Sequence, residues 1–184
     1  MYIAAVRRFV FVPTLLVALG FFFGGIFAIV QGNNARDDVR SGLTREQVTV
    51  SADAPNVALR NKPVVNAETA EAEADAIWMH TMKATGGKTY ATIEKYLAAD
   101  GKNGTNDAKL AQLDASGKPV ANPARATAKD GAFLRTGLML SVAAFGVAQL
   151  VVGLGWGFIA LGLLLLFVGV PLAYYVPRLL VTSI

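Results

Sequence analysis

The chain's single histidine, His80, is the first place to look for chemistry. A histidine titrates near neutrality, so the right neighbours can make it a general base or a pH-sensitive contact. Glu73 and Lys83 lie near it on one expected helix, but neither completes a nucleophilic triad. A solvated or packing role is the simpler reading. The chain has no cysteine. That removes disulfides, thiolate metal sites and cysteine nucleophiles, and one histidine cannot assemble a histidine-rich metal site. Gly87-Lys88-Thr89 matches the last residues of a phosphate-binding loop. The full pattern needs a glycine where Met82 stands and a strand leading in, whereas a helix leads in here. Gly86 and Gly87 ending that helix explain the residues better. Glu68, Glu71 and Asp75 read as a solvated helix face, not a cation site. Asn103-Gly104-Thr105 matches a glycosylation acceptor, but an Asn-Gly turn accounts for it. No catalytic, cofactor-binding or metal-ligating set emerges, and no cofactor is implied.

The elements that carry these residues are mostly helical. Residues 67–85 read as a helix, with Asn66 as N-cap, Glu68 and Glu71 at the positive end and Lys83 at the other. Gly86-Gly87 supplies the stop. Ala70, Ala74, Ile77, Trp78 and Thr81 share one face. Shorter helices are expected at 90–98 and 107–113, separated by loop signals at 100–105 and 115–119. Residues 48–50 could form a short strand, and Lys62-Pro63-Val64-Val65 is extended. Large apolar side chains are too sparse here for an independent enzyme core.

On either side of this polar stretch the chain turns apolar, and 54% of its residues are hydrophobic. After a tail over 1–8, residues 9–31 carry no charge. A helix of that length covers the roughly 30 Å hydrocarbon core of a bilayer. Pro13 falls in its first turn. The run is too long for a signal-peptide core and lacks a small-x-small cleavage site, so an uncleaved anchor is expected. A second apolar region, 132–176, suits two spans. The glycine-rich stretch 153–157 reads as a tight turn between helices at 132–152 and 156–176, with Trp156 at an interface. Pro171 should kink the last helix, Tyr174, Tyr175 and Arg178 should close it, and Pro177 should begin a tail over 177–184. The expected fold is therefore mainly α: three transmembrane helices and a mostly helical extramembrane domain at 32–131. Gly20, Gly24 and Ala28 line one face of the first helix. Gly137, Ser141, Ala144 and Ala148 recur on the second. Such small-residue faces let helices approach closely, within this chain or against a partner's transmembrane helix. No Asp, Glu, Lys or His lies within a span, which argues against a transporter or pump.

Residues 36–130 hold all 13 acidic residues and 13 of the 17 Lys and Arg, so the net charge of +4 comes from Arg7, Arg8, Arg135 and Arg178 beside apolar segments. A nucleic-acid surface would need a clustered basic face, and none is present. Net flank charge favours a cytoplasmic N-terminus with the central domain outside. A strict Lys and Arg count does not, because acidic residues contribute little to that rule. The reading adopted is N-inside, with the glycine turn cytoplasmic and the C-terminus outside.

Several stretches, in this order, resemble a family of small actinobacterial multi-pass membrane proteins of unknown function. They are Val48-Thr-Val-Ser-Ala-Asp-Ala54, His80 followed by Ala84-Thr-Gly-Gly-Lys-Thr-Tyr90, Asn122-Pro-Ala-Arg125 leading to Phe133-Leu-Arg135, and Ser141-Val-Ala-Ala-Phe-Gly-Val147. Together they make up 29 of the chain's 184 residues. The resemblance implies the membrane topology and a bacterial plasma-membrane location, and residues 97–120 look longer than in similar proteins. Members are often labelled aromatic ring-opening dioxygenases. That chemistry needs iron held by several histidine and carboxylate ligands, which one histidine cannot supply.

The leading expectation is a non-enzymatic accessory or scaffold subunit of a membrane complex or the cell envelope. Its partners would be the lipid bilayer and a membrane protein or a second copy, not nucleic acid. Candidate contact residues are His80, Gly86, Gly87, Lys88 and Tyr90 in one segment and Phe133 and Arg135 in the other. Their alternative role is to fix a helix end and the start of the membrane segment. A second reading is a lipid- or small-ligand-binding membrane module, with Arg125, Lys129 and Arg135 near headgroups. An enzyme acting on a lipid or wall precursor lacks an identifiable acid and base pair.

Overall fold

The computed structural model describes residues 2–101 and 103–175, with side chains from Val10 onward. The chain is mainly helical: α1 (Tyr2–Arg45), α2 (Ala67–Ala84) and α3 (Pro123–Leu164), with two short strands, β1 (Tyr96–Leu97) and β2 (Gly104–Thr105). It divides into two compact units, Met1–Val39 with Ala144–Ile184, and Arg40–Ala143.

The first unit is a pair of antiparallel helices. α1 starts at Tyr2, not at residue 9, so the expected tail over 1–8 is helical from there and Pro13 lies inside the helix. The larger correction concerns residues 153–157. They form no turn: α3 runs through them, and the helix continues as a π-turn over Leu165–Gly169 and on to Tyr175. Among the described residues, two helices are therefore long and apolar enough to cross a membrane, and the expected hairpin of two further spans is one helix. Of the three glycines only Gly155 makes a close contact; Gly153 and Gly157 lie open on the helix. A methyl placed on Gly155 would sit 2.7 Å from the Gly25 carbonyl oxygen, and one on Gly25 would sit 2.6 Å from that of Gly155. Gly32 meets the Ala148 carbonyl and Gly162 the Ala18 carbonyl, each at 2.9 Å from such a methyl. Ala18, Gly25 and Gly32 thus pair with Gly162, Gly155 and Ala148, both series spaced by seven. A seven-residue repeat keeps one seam facing its partner. Glycine costs up to about 1 kcal/mol in a helix interior. Here the close backbone approach and its dispersion contacts offset that.

The seam is not the one expected from four-residue spacing. A methyl placed on Gly20, Gly24 or Gly137 would meet nothing within 4 Å among the described residues, whereas Ala148 is buried in the seam. Large apolar side chains point outward instead, among them Leu16, Phe23, Phe27, Leu150, Trp156 and Phe167. Pro171 brings a π-turn with it. Proline has no N–H and crowds the carbonyl four residues back. The wider turn is closed by the Val170 N–H donating to the Leu165 carbonyl. Phe11 and Tyr174 meet edge to face at 6.0 Å near the end of the pair. Arg178, Pro177 and the tail over 177–184 lie outside the described residues.

The second unit is built around α2. Asn66 caps it as expected: its side chain accepts from the Thr69 N–H at 2.8 Å, and Thr69 Oγ1 accepts in return from the Asn66 N–H. The helix ends with Gly86 and Gly87 at φ +62° and +81°, and the Gly87 N–H donates to the Met82 carbonyl at 2.7 Å. That left-handed stop suits glycine. Ala70, Ala72, Ala74 and Ala76 are all buried, because α2 is packed on more than one side. Val50, Ala54, Leu59 and Val64 cover it, and Leu138 of α3 joins the same cluster with Leu43 and Val142. Thr49 bridges to Pro63 where the short strand was expected.

The two further helices of the central domain are not present. Residues 93–121 fold as a hydrogen-bonded ribbon: β1 pairs with β2 antiparallel, and bridges link Tyr96 to Ala121, Ala98 to Ala111 and Leu113 to Pro119. Gly101 and Gly117, at φ +68° and +75°, turn it back on itself. Repeated tight turns leave no run long enough to repay helix nucleation.

Candidate functional site: a cleft around Arg135

α3 begins with Asn122 accepting from the Ala124 N–H and Pro123 in the first turn, where its missing N–H costs nothing. Gly131 then presses against the Thr81 side chain, so α2 and α3 touch closely at that level. On one side of this contact lies a cleft of about 110 Å³. Its walls are Trp78, Thr81 and Met82 of α2, Thr89 and Tyr90 of the following loop, and Ala132, Arg135 and Thr136 of α3. Tyr90 and Arg135, placed in two separate candidate segments by sequence, therefore line one site.

Two arginines there have different roles. Arg125 is committed to structure: its Nη1 donates to the Tyr90 carbonyl at 3.1 Å and to that of Ile93 at 2.6 Å, and its guanidinium lies 3.9 Å from the Tyr90 ring centre. Arg135 faces the Trp78 ring at 5.3 Å, and its Nε is buried with no hydrogen-bond acceptor among the described residues. A buried guanidinium N–H lacking an acceptor is costly, which marks the place where an oxyanion gains most. Lys129 is exposed and paired with Asp130 at 3.5 Å.

The remaining candidates lie elsewhere. His80 Nε2 contacts both oxygens of Asp53, at 2.8 and 3.0 Å, tying α2 to the 51–54 turn. The His80 contact is the main reason the Asp53 carboxyl is held below its usual range. Gly86 and Gly87 are the helix stop. Lys88 pairs with Glu94 at 3.2 Å; the Glu94 carboxyl is also held low, first by a backbone hydrogen bond and then by Lys88. Phe133 is 79% exposed and lines no part of the cleft. Glu68, Glu71 and Asp75 are exposed as expected, but Glu73 is buried and accepts from the Ser51 N–H at 2.6 Å and its hydroxyl at 3.1 Å. Ser51, Asp53 and Thr89 fall in stretches that the sequence singles out, but without the partners they have here, and Met82 stood out only as the residue that breaks a phosphate-loop pattern. Among the described residues, no group of three or more His, Asp or Glu side chains could hold a metal ion.

No protein-family profile, curated protein or solved structure matches this chain.

Proposed function

We propose that this chain is a non-enzymatic accessory or scaffold subunit, held in a bacterial plasma membrane by α1 and the apolar part of α3. The observation that carries this reading is the outward position of Gly20 and Gly24. They border an open groove of about 350 Å³ with Val17, Phe21 and Phe158, and no described residue fills it. A face with two small residues four apart, flanked by phenylalanines, suits a neighbouring transmembrane helix. The outward apolar shell supports the bilayer as solvent, because its burial there replaces contact with water. With two spans, the start of α1 and the end of α3 lie on one side of the membrane, and the central residues lie on the other. The flanking charges favour the cytoplasm for the former.

The test is purification of the full chain in mild detergent, followed by mass spectrometry of what travels with it. The reading expects a stoichiometric membrane protein or a second copy, lost in Gly20→Leu/Gly24→Leu. A chain that runs alone, or a complex indifferent to those changes, sinks it. Cysteine labelling gives the sidedness: Thr105→Cys should label in intact cells and Tyr175→Cys only after lysis.

A second reading, a small-ligand-binding membrane module, is favoured by one observation, the unaccepted Arg135 Nε in its cleft.

A further inference from the structure

From the cleft's chemistry we infer that Arg135 binds a carboxylate whose apolar remainder lies against Trp78, Met82 and Tyr90. This deepens the small-ligand reading and rests on it.

The charge comes first. Arg135 is the cation of the cleft, since Arg125 is bound to two carbonyls and Lys129 is paired at the surface. One positive charge, half-buried, matches a singly charged anion.

The count of donors then selects among anions. Thr81 Oγ1 already donates to the Ile77 carbonyl at 2.7 Å, and Thr136 Oγ1 to that of Ala132 at 2.8 Å. Thr92 gives its hydroxyl hydrogen to the Thr89 carbonyl, so the Thr89 hydroxyl is left as donor in the 3.3 Å contact between the two. The lining threonines thus present oxygen lone pairs, and the guanidinium supplies the N–H groups. A phosphate has more oxygens than such a site satisfies. A carboxylate has two, and the side edge of a guanidinium, Nε with one Nη, meets both at once.

Size and walls select the rest of the molecule. A cavity near 110 Å³ holds a carboxylate and a few carbons. Trp78, Met82 and Tyr90 offer apolar and aromatic surface for them.

Trp78 is also the reporter. In full-length protein in detergent carrying Trp156→Phe, Trp78 is the only tryptophan left. Butyrate at constant ionic strength should change its emission saturably, and butyramide, uncharged but of the same shape, should not. Arg135→Gln should weaken the butyrate response by about tenfold or more, the effect of losing a charged hydrogen-bond partner. Lys129→Gln should leave it unchanged. Met82→Glu, which supplies a tethered carboxylate, should abolish the response with Arg135 intact, and this variant decides the matter if Arg135→Gln does not fold. Inorganic phosphate binding as well as butyrate, and through Arg135, would overturn the carboxylate assignment while leaving the small-ligand reading standing. A response equal in wild type and Arg135→Gln, or none at all, would remove both.

Discussion

The two units hold together by opposite means. The helix pair is sealed by what is missing: at Gly25, Gly32, Gly155 and Gly162 the absence of a side chain lets backbone meet backbone, while large apolar groups face out. The central unit is sealed by polar fastening around an alanine-rich helix: a capping box at Asn66, Ser51 held by Glu73, and Asp53 held by His80. The difference is the one that the proposed membrane location of the helix pair implies. In water, burying apolar surface drives folding, and small residues contribute little of it, so specific hydrogen bonds must define the packing. In hydrocarbon, apolar burial gives no drive, and close contact is what remains.

The contrast can be broken at either end. The largest effect is expected from Gly155→Val or Gly25→Val, because the new side chain meets backbone that cannot move aside. Destabilisation should reach or exceed the roughly 3 kcal/mol at the upper end for overpacked sites, read by thermal unfolding in detergent. The same change at Gly20, which touches nothing, should be nearly silent in that assay. Next is Glu73→Ala, which leaves the buried end of the Ser51 N–H unpaired and should cost about 2 kcal/mol. Asn66→Ala should cost about 1 kcal/mol by removing the cap. The smallest effect is the Asp53–His80 contact, at the surface. A carboxyl held below its usual range stabilises the fold fully above its unfolded pKa, and that contribution fades as pH falls through the lowered value. Wild type should therefore lose its advantage over Asp53→Asn once the pH falls through the lowered Asp53 value, seen as converging unfolding midpoints; a gap that persists with the carboxyl protonated would contradict the contact.

Much of the central helix was legible because its signals are local. Asn66, Gly86 and Gly87 mark the ends of α2 through geometry confined to a turn. The charge-free runs were legible too, since apolar length is a property of the sequence itself. The stretch 153–157 was not. Glycines clustered in five residues signal a turn when only neighbours in sequence are considered, yet the helix runs through them, and of the three only Gly155 is used by α1. The spacing that would have revealed this is seven, not four. The ribbon over 93–121 was misread as helix for the converse reason: Ile93 and Leu97 have helical spacing, but turns at Gly101 and Gly117 decide the path. At the cleft, Tyr90 and Arg135 were recognised singly, and only the contact of Gly131 with Thr81 brings them together.

The π-turn at Leu165–Gly169 has a consequence for how the chain tolerates change in length. A π-turn holds one residue more than an α-helical turn. Deleting a residue there can relax the turn to an ordinary helix and leave the seam before it in phase. The same deletion at Trp156 would rotate everything beyond by about 100° and carry Gly162 away from Ala18. The helix pair thus has one position where its length is negotiable, set beyond the last of the close glycine contacts.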